Sequence, residues 1–233
     1  MVSRDRPLSF LLDVDNTLLD NDALKELLAA QLRQALDAEG AARFWVLYED
    51  VRHERDVVDL PLTVQRYAAE TGRADQAEVI AQILDRLPFA RFLYPHALDT
   101  LRHLATLGTV SILSDGDHVF QRRKIERSGL AAAVAGRVRI YTHKEDHLDE
   151  IVPRQPGAQT VLIDDKARIL DTVKRILGPR VTTVHVLQGH YAREPAPARF
   201  HADLTVQAIG DLRTVPAERF LSAGDRRQAT GDR

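Results

Sequence analysis

Two aspartates separated by one residue, Asp13 and Asp15, stand at the end of an apolar run that begins near Leu8. Two carboxyl groups held close together can divide a reaction between them, because one acts as nucleophile or metal ligand while the other gives or takes a proton. A second acidic pair, Asp164-Asp165, follows another apolar run. These residue types indicate carboxylate chemistry around a bound cation.

A serine and a lysine also occur at, or shortly after, the ends of apolar runs. Ser114 ends an apolar run and is followed by Asp115 and Gly116, and Lys144 comes after the run Arg137–Tyr141. Converging carboxylates repel one another unless a cation lies among them, and Mg²⁺ prefers such oxygen ligands together with water and substrate phosphate. A serine hydroxyl, backbone N–H groups and a lysine supply the contacts that a transferred phosphoryl group needs. The set favours Mg²⁺-dependent phosphoryl transfer.

Five apolar runs predict the strands that would position these side chains. They cover about Leu8–Val14, Thr109–Ser114, Arg137–Tyr141, Thr160–Asp164 and Val181–Leu187. Helical patterns separate most of them, such as Ala97–Leu107 and Ala167–Leu177. This alternation predicts right-handed βαβ units, and therefore an α/β fold with a doubly wound, Rossmann-like parallel sheet. Ligands of such sheets bind beyond the carboxyl ends of the strands, where the polar residues described above lie.

The segment from Asp20 to about Leu93 has helical periodicity throughout and no strand signal. It predicts helices at Asn21–Glu39, ended by Gly40, and at Ala42–Asp56, Leu62–Glu70 and Gln76–Leu87. A simple crossover needs only about a dozen residues, so we interpret this segment as an inserted helical subdomain. The predicted division is a core of residues 1–19 and 93–221 and a helical cap of residues 20–92. The polar tail Ser222–Arg233 is predicted to be disordered.

The composition narrows the class of protein. The chain has 233 residues, of which 44% are apolar and 28% charged, which is typical of a globular protein. Because its net charge is only −2, we expect neither nucleic acid nor a membrane as partner. The absence of cysteine excludes disulfides, thiolate metal sites and cysteine nucleophiles. Met1–Pro7 contains no apolar signal core, and we expect a cytoplasmic protein whose oligomeric state stays open.

In order and type, these residues resemble the haloacid dehalogenase (HAD) superfamily of aspartyl-phosphate phosphohydrolases. The resemblance covers about Leu8 to Leu187, and its most specific element is the Asp-x-Asp-x-Thr sequence Asp13–Thr17 followed by leucine. The second motif of the family corresponds to Ser114 and its neighbours, and the helix after it is matched by Gln121, Lys124, Gly129 and Leu130. The insertion after the first motif is similar to the C1-type cap of the family.

The resemblance implies a catalytic role for each motif residue. Asp13 would attack phosphorus and carry the phosphoryl group. Asp15 would protonate the leaving oxygen and then deprotonate the hydrolytic water. Ser114 and Lys144, with Asp115 beside Ser114, would bind the phosphoryl group.

The resemblance also implies a Mg²⁺ site. Asp13, the backbone carbonyl of Asp15 and Asp164 would bind the ion. Asp165 would either bind it, directly or through water, or contact one of its ligands. Capping of the helix near Ala167 remains an alternative role for Asp165.

Two positions depart from the family pattern. Lys144 is followed by Glu145 where the family often has proline, and Ile163 precedes the last acidic pair where glycine is common. Neither departure removes a reacting group. The first departure, however, leaves Lys124 as the alternative to Lys144 for the lysine of the family's third motif. We favour Lys144, because Lys124 lies more than a turn beyond the strand end.

The expected activity is hydrolysis of a small phosphorylated metabolite through an aspartyl-phosphate, with the cap selecting the leaving group. Arg52 and His53 are the cap residues proposed to contact substrate. A phosphomutase and a 2-haloacid dehalogenase are alternatives on the same scaffold, although dehalogenases of the family lack an acid at the position of Asp15. A noncatalytic protein that binds a ligand or partner is the alternative of another class.

Overall fold

A six-stranded parallel sheet forms the centre of the protein. The structure is a computed structural model that describes residues 8–152, 158–198 and 200–221, apart from the side chain of Asp149. The strands are β1 Leu8–Leu12, β2 Gly108–Asp115, β3 Val138–Tyr141, β4 Gln159–Asp164, β5 Val181–Val186 and β6 Leu204–Val206. Their order is β3-β2-β1-β4-β5-β6, and every neighbouring pair is parallel. The predicted α/β fold with a Rossmann-like sheet is confirmed.

Helices connect these strands. They are α1 Asn21–Ala35, α2 Ala38–Arg55, α3 Leu60–Thr71, α4 Ala74–Arg86, α5 Ala97–Leu107, α6 Phe120–Arg127, α7 Leu130–Ala133, α8 Leu148–Ile151 and α9 Ala167–Leu177. None of the helices in the described ranges combines the length and apolar character needed to cross a membrane. The predicted disordered tail, Ser222–Arg233, and the N-terminal Met1–Pro7 lie outside the described residues.

The break between the first two helices differs from the prediction. Gly40 does not end α1; the chain leaves the helix at Leu36, and the side chain of Asp37 caps α2 by accepting a hydrogen bond from the Gly40 N–H at 2.6 Å. Gly40 therefore lies in the first turn of α2. A Cβ atom there would lie 2.6 Å from the Tyr67 hydroxyl and from Oε1 of Gln76, so close packing of α2 explains this glycine.

Two segments join the helices α1–α4 to the sheet, and they run side by side. The Asp20 N–H donates to the Phe92 carbonyl at 2.7 Å, and the Tyr94 N–H donates to the Leu18 carbonyl at 3.0 Å. Leu19 and Leu93 form an antiparallel bridge between them. The helical segment thus leaves and rejoins the sheet at one place.

Side chains of the sheet pack on both faces. On one face, Phe10 and Leu12 of β1 belong to a large apolar cluster that continues into α1–α5. On the other face, Leu11 packs in a smaller cluster with α8 and α9. Burial on both faces explains why the strands are continuously apolar rather than alternating.

The register brings the motif residues to one edge of the sheet. Leu12 at the end of β1 pairs with Ile112 of β2 and Ile163 of β4. The Asp13 N–H then donates to the Ile163 carbonyl at 3.0 Å. Asp13, the residue after β1, and Asp164, the last residue of β4, consequently lie at the same level of adjacent strands.

Candidate active site

The loop after β1 turns sharply enough to keep both of its aspartates at the sheet edge. The N–H groups of Leu18 and Leu19 both donate to the Val14 carbonyl at 2.9 Å. Asn16 is buried in the left-handed region, with φ 61°, a conformation that asparagine adopts more readily than most residues. This turn places Asp13 inward, 2% exposed, while the Asp15 side chain, 25% exposed, lines a cleft.

Lys144 connects carboxylates that follow different strands. Its Nζ atom lies 2.6 Å from Oδ1 of Asp13 and 2.6 Å from Oδ2 of Asp164, and the lysine side chain is buried. Its backbone N–H donates to Oδ1 of Asp115 at 2.9 Å. Burial alone would lower the pKa of Lys144, but Asp13, Asp164 and Asp115 raise it well above its usual value. The lysine is therefore a fixed positive charge at the centre of the acidic residues.

Three carboxylates form a cluster suited to a cation. Asp13, Asp164 and Asp165 each offer an oxygen atom, and these atoms lie within 4.8 Å of one another. Within the described part of the chain, Oδ2 of Asp13 and both carboxyl oxygens of Asp165 are buried without a hydrogen-bond partner. Mg²⁺ prefers oxygen ligands of this type, so the donor set fits that ion.

The protonation of the cluster reflects its burial. Burial, reinforced by Asp164 and Asp13, raises the pKa of Asp165 to about 9. Burial also raises the pKa of Asp13 to about 7, against the effect of Lys144. Although burial acts on Asp164 in the same direction, Lys144 and Lys166 hold its pKa below the usual value. A divalent cation would replace the protons that the cluster otherwise holds.

Two residues of α6 contact Asp15, and one of them, Gln121, also contacts Ser114. The Gln121 side-chain amide donates to Oγ of Ser114 at 2.8 Å and to Oδ2 of Asp15 at 3.2 Å. The Nζ atom of Lys124 lies 2.7 Å from Oδ1 of Asp15. The structure thus places Lys144 against Asp13 and Lys124 against Asp15, so the two lysines hold different acids rather than competing for one position.

Sequence reasoning gave neither Gln121 nor Lys124 a place at Asp15, although a signal was present. The buried face of α6 consists of Phe120, Gln121, Lys124 and Ile125. Polar residues at helical spacing on an otherwise apolar face must find partners inside the protein. The same reasoning overlooked Lys166, which lies next to the acidic pair and whose N–H donates to Oδ1 of Asp164 at 2.9 Å.

A cleft of about 550 Å³ opens over these residues. This volume is in the usual range for small-molecule sites. Asp15, Asp115 and Lys124 line it on the sheet side, and Arg52 lines it from α2. His53, by contrast, points its Nδ1 atom at the Glu49 carbonyl, 2.8 Å away, and does not line the cleft.

The loop after β5 closes one side of the cleft. His190 in this loop contacts Asp22 of α1 through its ring, Nδ1 to Oδ1 at 2.6 Å, and through its backbone N–H at 2.8 Å. Gly189 has φ 67°, and a Cβ atom there would lie 2.5 Å from Cβ of Asn16. Only glycine allows this loop to pass so close to the turn after β1.

Comparison with known proteins agrees with this geometry. Residues 9–184 match a family model described as haloacid dehalogenase-like hydrolase. A protein from Burkholderia xenovorans LB400 described as a haloacid dehalogenase-like hydrolase is 44% identical, with a TM-score of 0.85 over 93% of this chain and 100% of that one. No curated protein matches the chain at a significant level.

Two more distant structures share the fold. One is the HAD hydrolase YfnB of Bacillus subtilis bound to magnesium, at 17% identity and a TM-score of 0.59, covering 89% of this chain and 97% of that one. The other is an L-2-haloacid dehalogenase from Xanthobacter autotrophicus with chloropropionic acid covalently bound, at 17% identity and a TM-score of 0.55, covering 88% of this chain and 96% of that one.

Proposed function

This chain belongs to the haloacid dehalogenase-like hydrolase family, and from that premise we propose that it is a Mg²⁺-dependent phosphatase of a small phosphomonoester. The observation that carries the proposal is the second acid of the first motif. Asp15 lines the cleft, whereas Asp13 lies buried in the acidic cluster two residues away. A carboxyl group at that place can protonate an alkoxide leaving group, which phosphate ester hydrolysis requires and halide release does not.

In the first step, the free Oδ2 atom of Asp13 attacks phosphorus. The bond between phosphorus and the ester oxygen breaks, and Asp15 gives its proton to that oxygen, so the alcohol leaves and an aspartyl-phosphate remains. Lys144, which contacts Oδ1 of Asp13, orients the attacking carboxylate and balances its charge.

In the second step, water attacks the same phosphorus atom. Asp15, now a carboxylate, takes a proton from that water, and the bond between phosphorus and Asp13 breaks to release phosphate. Mg²⁺ held by Asp13, Asp164 and Asp165 would neutralise charge on the phosphoryl oxygens. Among the described residues, the hydroxyl hydrogen of Ser114 has only a distant partner, the Asp115 carbonyl at 3.4 Å, and can turn to a phosphoryl oxygen.

The helical segment α1–α4 acts in this proposal as a cap that closes over the cleft and selects the leaving group. Its α1 and α2 contribute Lys25, Trp45, Tyr48 and Arg52 to the lining. The Nζ atom of Lys25 lies 4.5 Å from the Tyr48 ring centroid, which gives this wall both aromatic and cationic character. A cleft of about 550 Å³ fits a small phosphorylated metabolite better than a phosphoprotein or nucleic acid.

The experiment is phosphate release from p-nitrophenyl phosphate and a panel of small phosphomonoesters, with Mg²⁺ and with EDTA. Asp13→Asn is the test variant, and Asp75→Asn, an exposed aspartate on α4, is the matched control. The proposal expects metal-dependent release by wild type and by Asp75→Asn, and none by Asp13→Asn. Halide release from 2-chloropropionate, or an isomerised sugar phosphate without free phosphate, would instead identify a dehalogenase or a mutase.

A further inference from the structure

We propose that Lys124 is a positioning residue for Asp15 in leaving-group protonation. The inference rests on the proposed phosphatase function and adds a residue to its machinery. Lys124 lies on α6 and contacts neither the acidic cluster nor the phosphoryl-binding serine directly. In this role it acts through Asp15.

Three contacts define the position of the lysine. Its Nζ atom donates to both carboxyl oxygens of Asp15, at 2.7 and 3.0 Å, and to Oδ1 of Asn21 at 3.1 Å. Its side chain is only 4% exposed. Because Asn21 is the first residue of α1, the ammonium group joins the acid of the first motif to the beginning of the helical segment.

Two residues on the buried face of α6 hold the Asp15 side chain. Lys124 holds both carboxyl oxygens, and Gln121 donates to Oδ2 at 3.2 Å. An acid that must meet a leaving oxygen and later a water molecule gains from such an orientation, since small misplacements of a reacting group are costly.

Stability alone does not explain a charged group at this site. The neighbours of Lys124 on the buried face of α6 include Phe120 and Ile125, and an apolar side chain would fit that face. Buried ion pairs are weak contributors to stability, because desolvation of the charges offsets their attraction. The ammonium group has a use in the reaction instead, because by donating to both carboxyl oxygens of Asp15 it fixes the orientation of that acid.

This role predicts a dependence on the leaving group. p-Nitrophenolate leaves readily without a proton, whereas an alkoxide does not, so a defect in protonation affects alkyl phosphates much more than p-nitrophenyl phosphate. The test measures kcat/KM of Lys124→Met for both substrate types, because this constant reports the steps up to formation of the aspartyl-phosphate. Arg122→Met, at an exposed position of the same helix, is the matched control.

For Lys124→Met we expect kcat/KM to fall by about 10²-fold on an alkyl phosphate and by less than about threefold on p-nitrophenyl phosphate, in keeping with the usual size of acid catalysis. Arg122→Met should keep both values. In an Asp15→Asn background, Lys124→Met should not change the alkyl-to-aryl ratio further, since its target is gone. Circular dichroism and thermal melting verify the fold.

Equal losses on the two substrate types would show a merely structural role and overturn the inference, as would unchanged kinetics. Lys124→Ala, which likewise cannot donate to Asp15, carries the same test if Lys124→Met does not fold. If neither uncharged variant folds, the lysine is structural and the inference fails. Absence of phosphate release by wild type would overturn the proposed function itself, and the inference with it.

Discussion

The Nζ atom of Lys144 and Oδ1 of Asp13 lie 2.6 Å apart, and both side chains are almost completely buried. The same ammonium group lies 2.6 Å from Asp164 on the neighbouring strand. One cation thus holds the proposed nucleophile and a proposed metal ligand in a fixed relation. Its removal has consequences for stability and for chemistry that can be measured separately.

Lys144→Met should lower the free energy of unfolding by about 3–5 kcal/mol, because it leaves buried carboxylates without their cation. Activity should fall to background even where the protein is folded. Urea unfolding and phosphate release check both effects. Lys174→Met is a useful comparison, since Lys174 forms a partly exposed ion pair with Asp203 outside the cleft. It should lose less stability and keep kcat, and equal effects of the two changes would contradict the central role of Lys144.

Asp13→Asn should prevent formation of the covalent intermediate while the fold is retained, because the substitution is nearly isosteric and the backbone bond of Asp13 to Ile163 remains. Acid-quenched wild type incubated with substrate should gain the mass of one phosphoryl group, and peptide mapping should place it on Asp13. A phosphorylated Asp13→Asn protein would exclude this residue as the nucleophile.

Asp15→Asn should slow turnover of an alkyl phosphate by roughly 10²–10⁴, since it removes the proton donor and acceptor. Binding of inorganic phosphate should change little, because Asp15 belongs to the cleft wall rather than to the cluster of Asp13, Asp164 and Asp165. Calorimetric phosphate titration in Mg²⁺ and steady-state kinetics separate the two quantities. An unchanged rate would remove Asp15 from the chemical steps.

The stability of the metal-free protein should fall as the pH rises. The pKa of Asp165 is raised to about 9 and that of Asp13 to about 7, from an ordinary value of 3.8. Between pH 3.8 and the raised pKa of each residue, the folded protein holds a proton that the unfolded chain has lost. Each such proton lowers the free energy of unfolding by at most about 1.4 kcal/mol for every unit by which the pH rises. Mg²⁺ bound as proposed would displace the protons, and its stabilising effect should increase over the same range.

Thermal melting in EDTA and in Mg²⁺, at about pH 6 and about pH 9, measures this dependence. Asp165→Asn has no proton to lose and should show a smaller decline in EDTA, whereas Asp75→Asn should behave as wild type. A Tm in EDTA that rises with pH, or a Mg²⁺ effect equal at both values, would contradict the protonation of the cluster.

Arg52→Ala should alter the ranking of substrates, because Arg52 lines the cleft from α2. A lost polar contact of about 1.4 kcal/mol corresponds to a tenfold change in kcat/KM for the preferred substrate. His53→Ala is the control, since the His53 ring bonds to the Glu49 carbonyl on the exposed surface of the same helix. Identical substrate profiles for Arg52→Ala and wild type would place leaving-group selection elsewhere in the cleft.

Much of the sheet could be predicted because its strands are continuously apolar. All five predicted strands are present, and no predicted end differs from the observed one by more than two residues. β6, Leu204–Val206, was missed because three residues at the edge of a sheet carry too short a pattern. The prediction of a helix end at Gly40 is wrong, because the sequence cannot show that the small size of this glycine accommodates Tyr67 and Gln76.

The residues at the strand ends were predictable from motif order, but their partners were not. Contact between Lys124 and Asp15 joins residues far apart in the chain, and it depends on the rotation of α6 about its axis. Helical spacing showed that Lys124 shares a face with Gln121, yet only the fold shows what that face meets. The position of His53 away from the cleft likewise depends on the rotation of α2.

The place of β1 in the sheet also governs the order in which the protein can fold. Its Leu8 pairs with Gly108 on one side and with Gln159 on the other, whereas α2, α3 and α4 contact one another in sequence. Local helix contacts form quickly, and distant strand pairings form late because long loops must close first. A ribosome therefore finishes the helical segment before β1 has either of its neighbouring strands. Assembly of the acidic cluster must await synthesis of Asp165, so the proposed metal site can form only after the helical segment and β4 have been made.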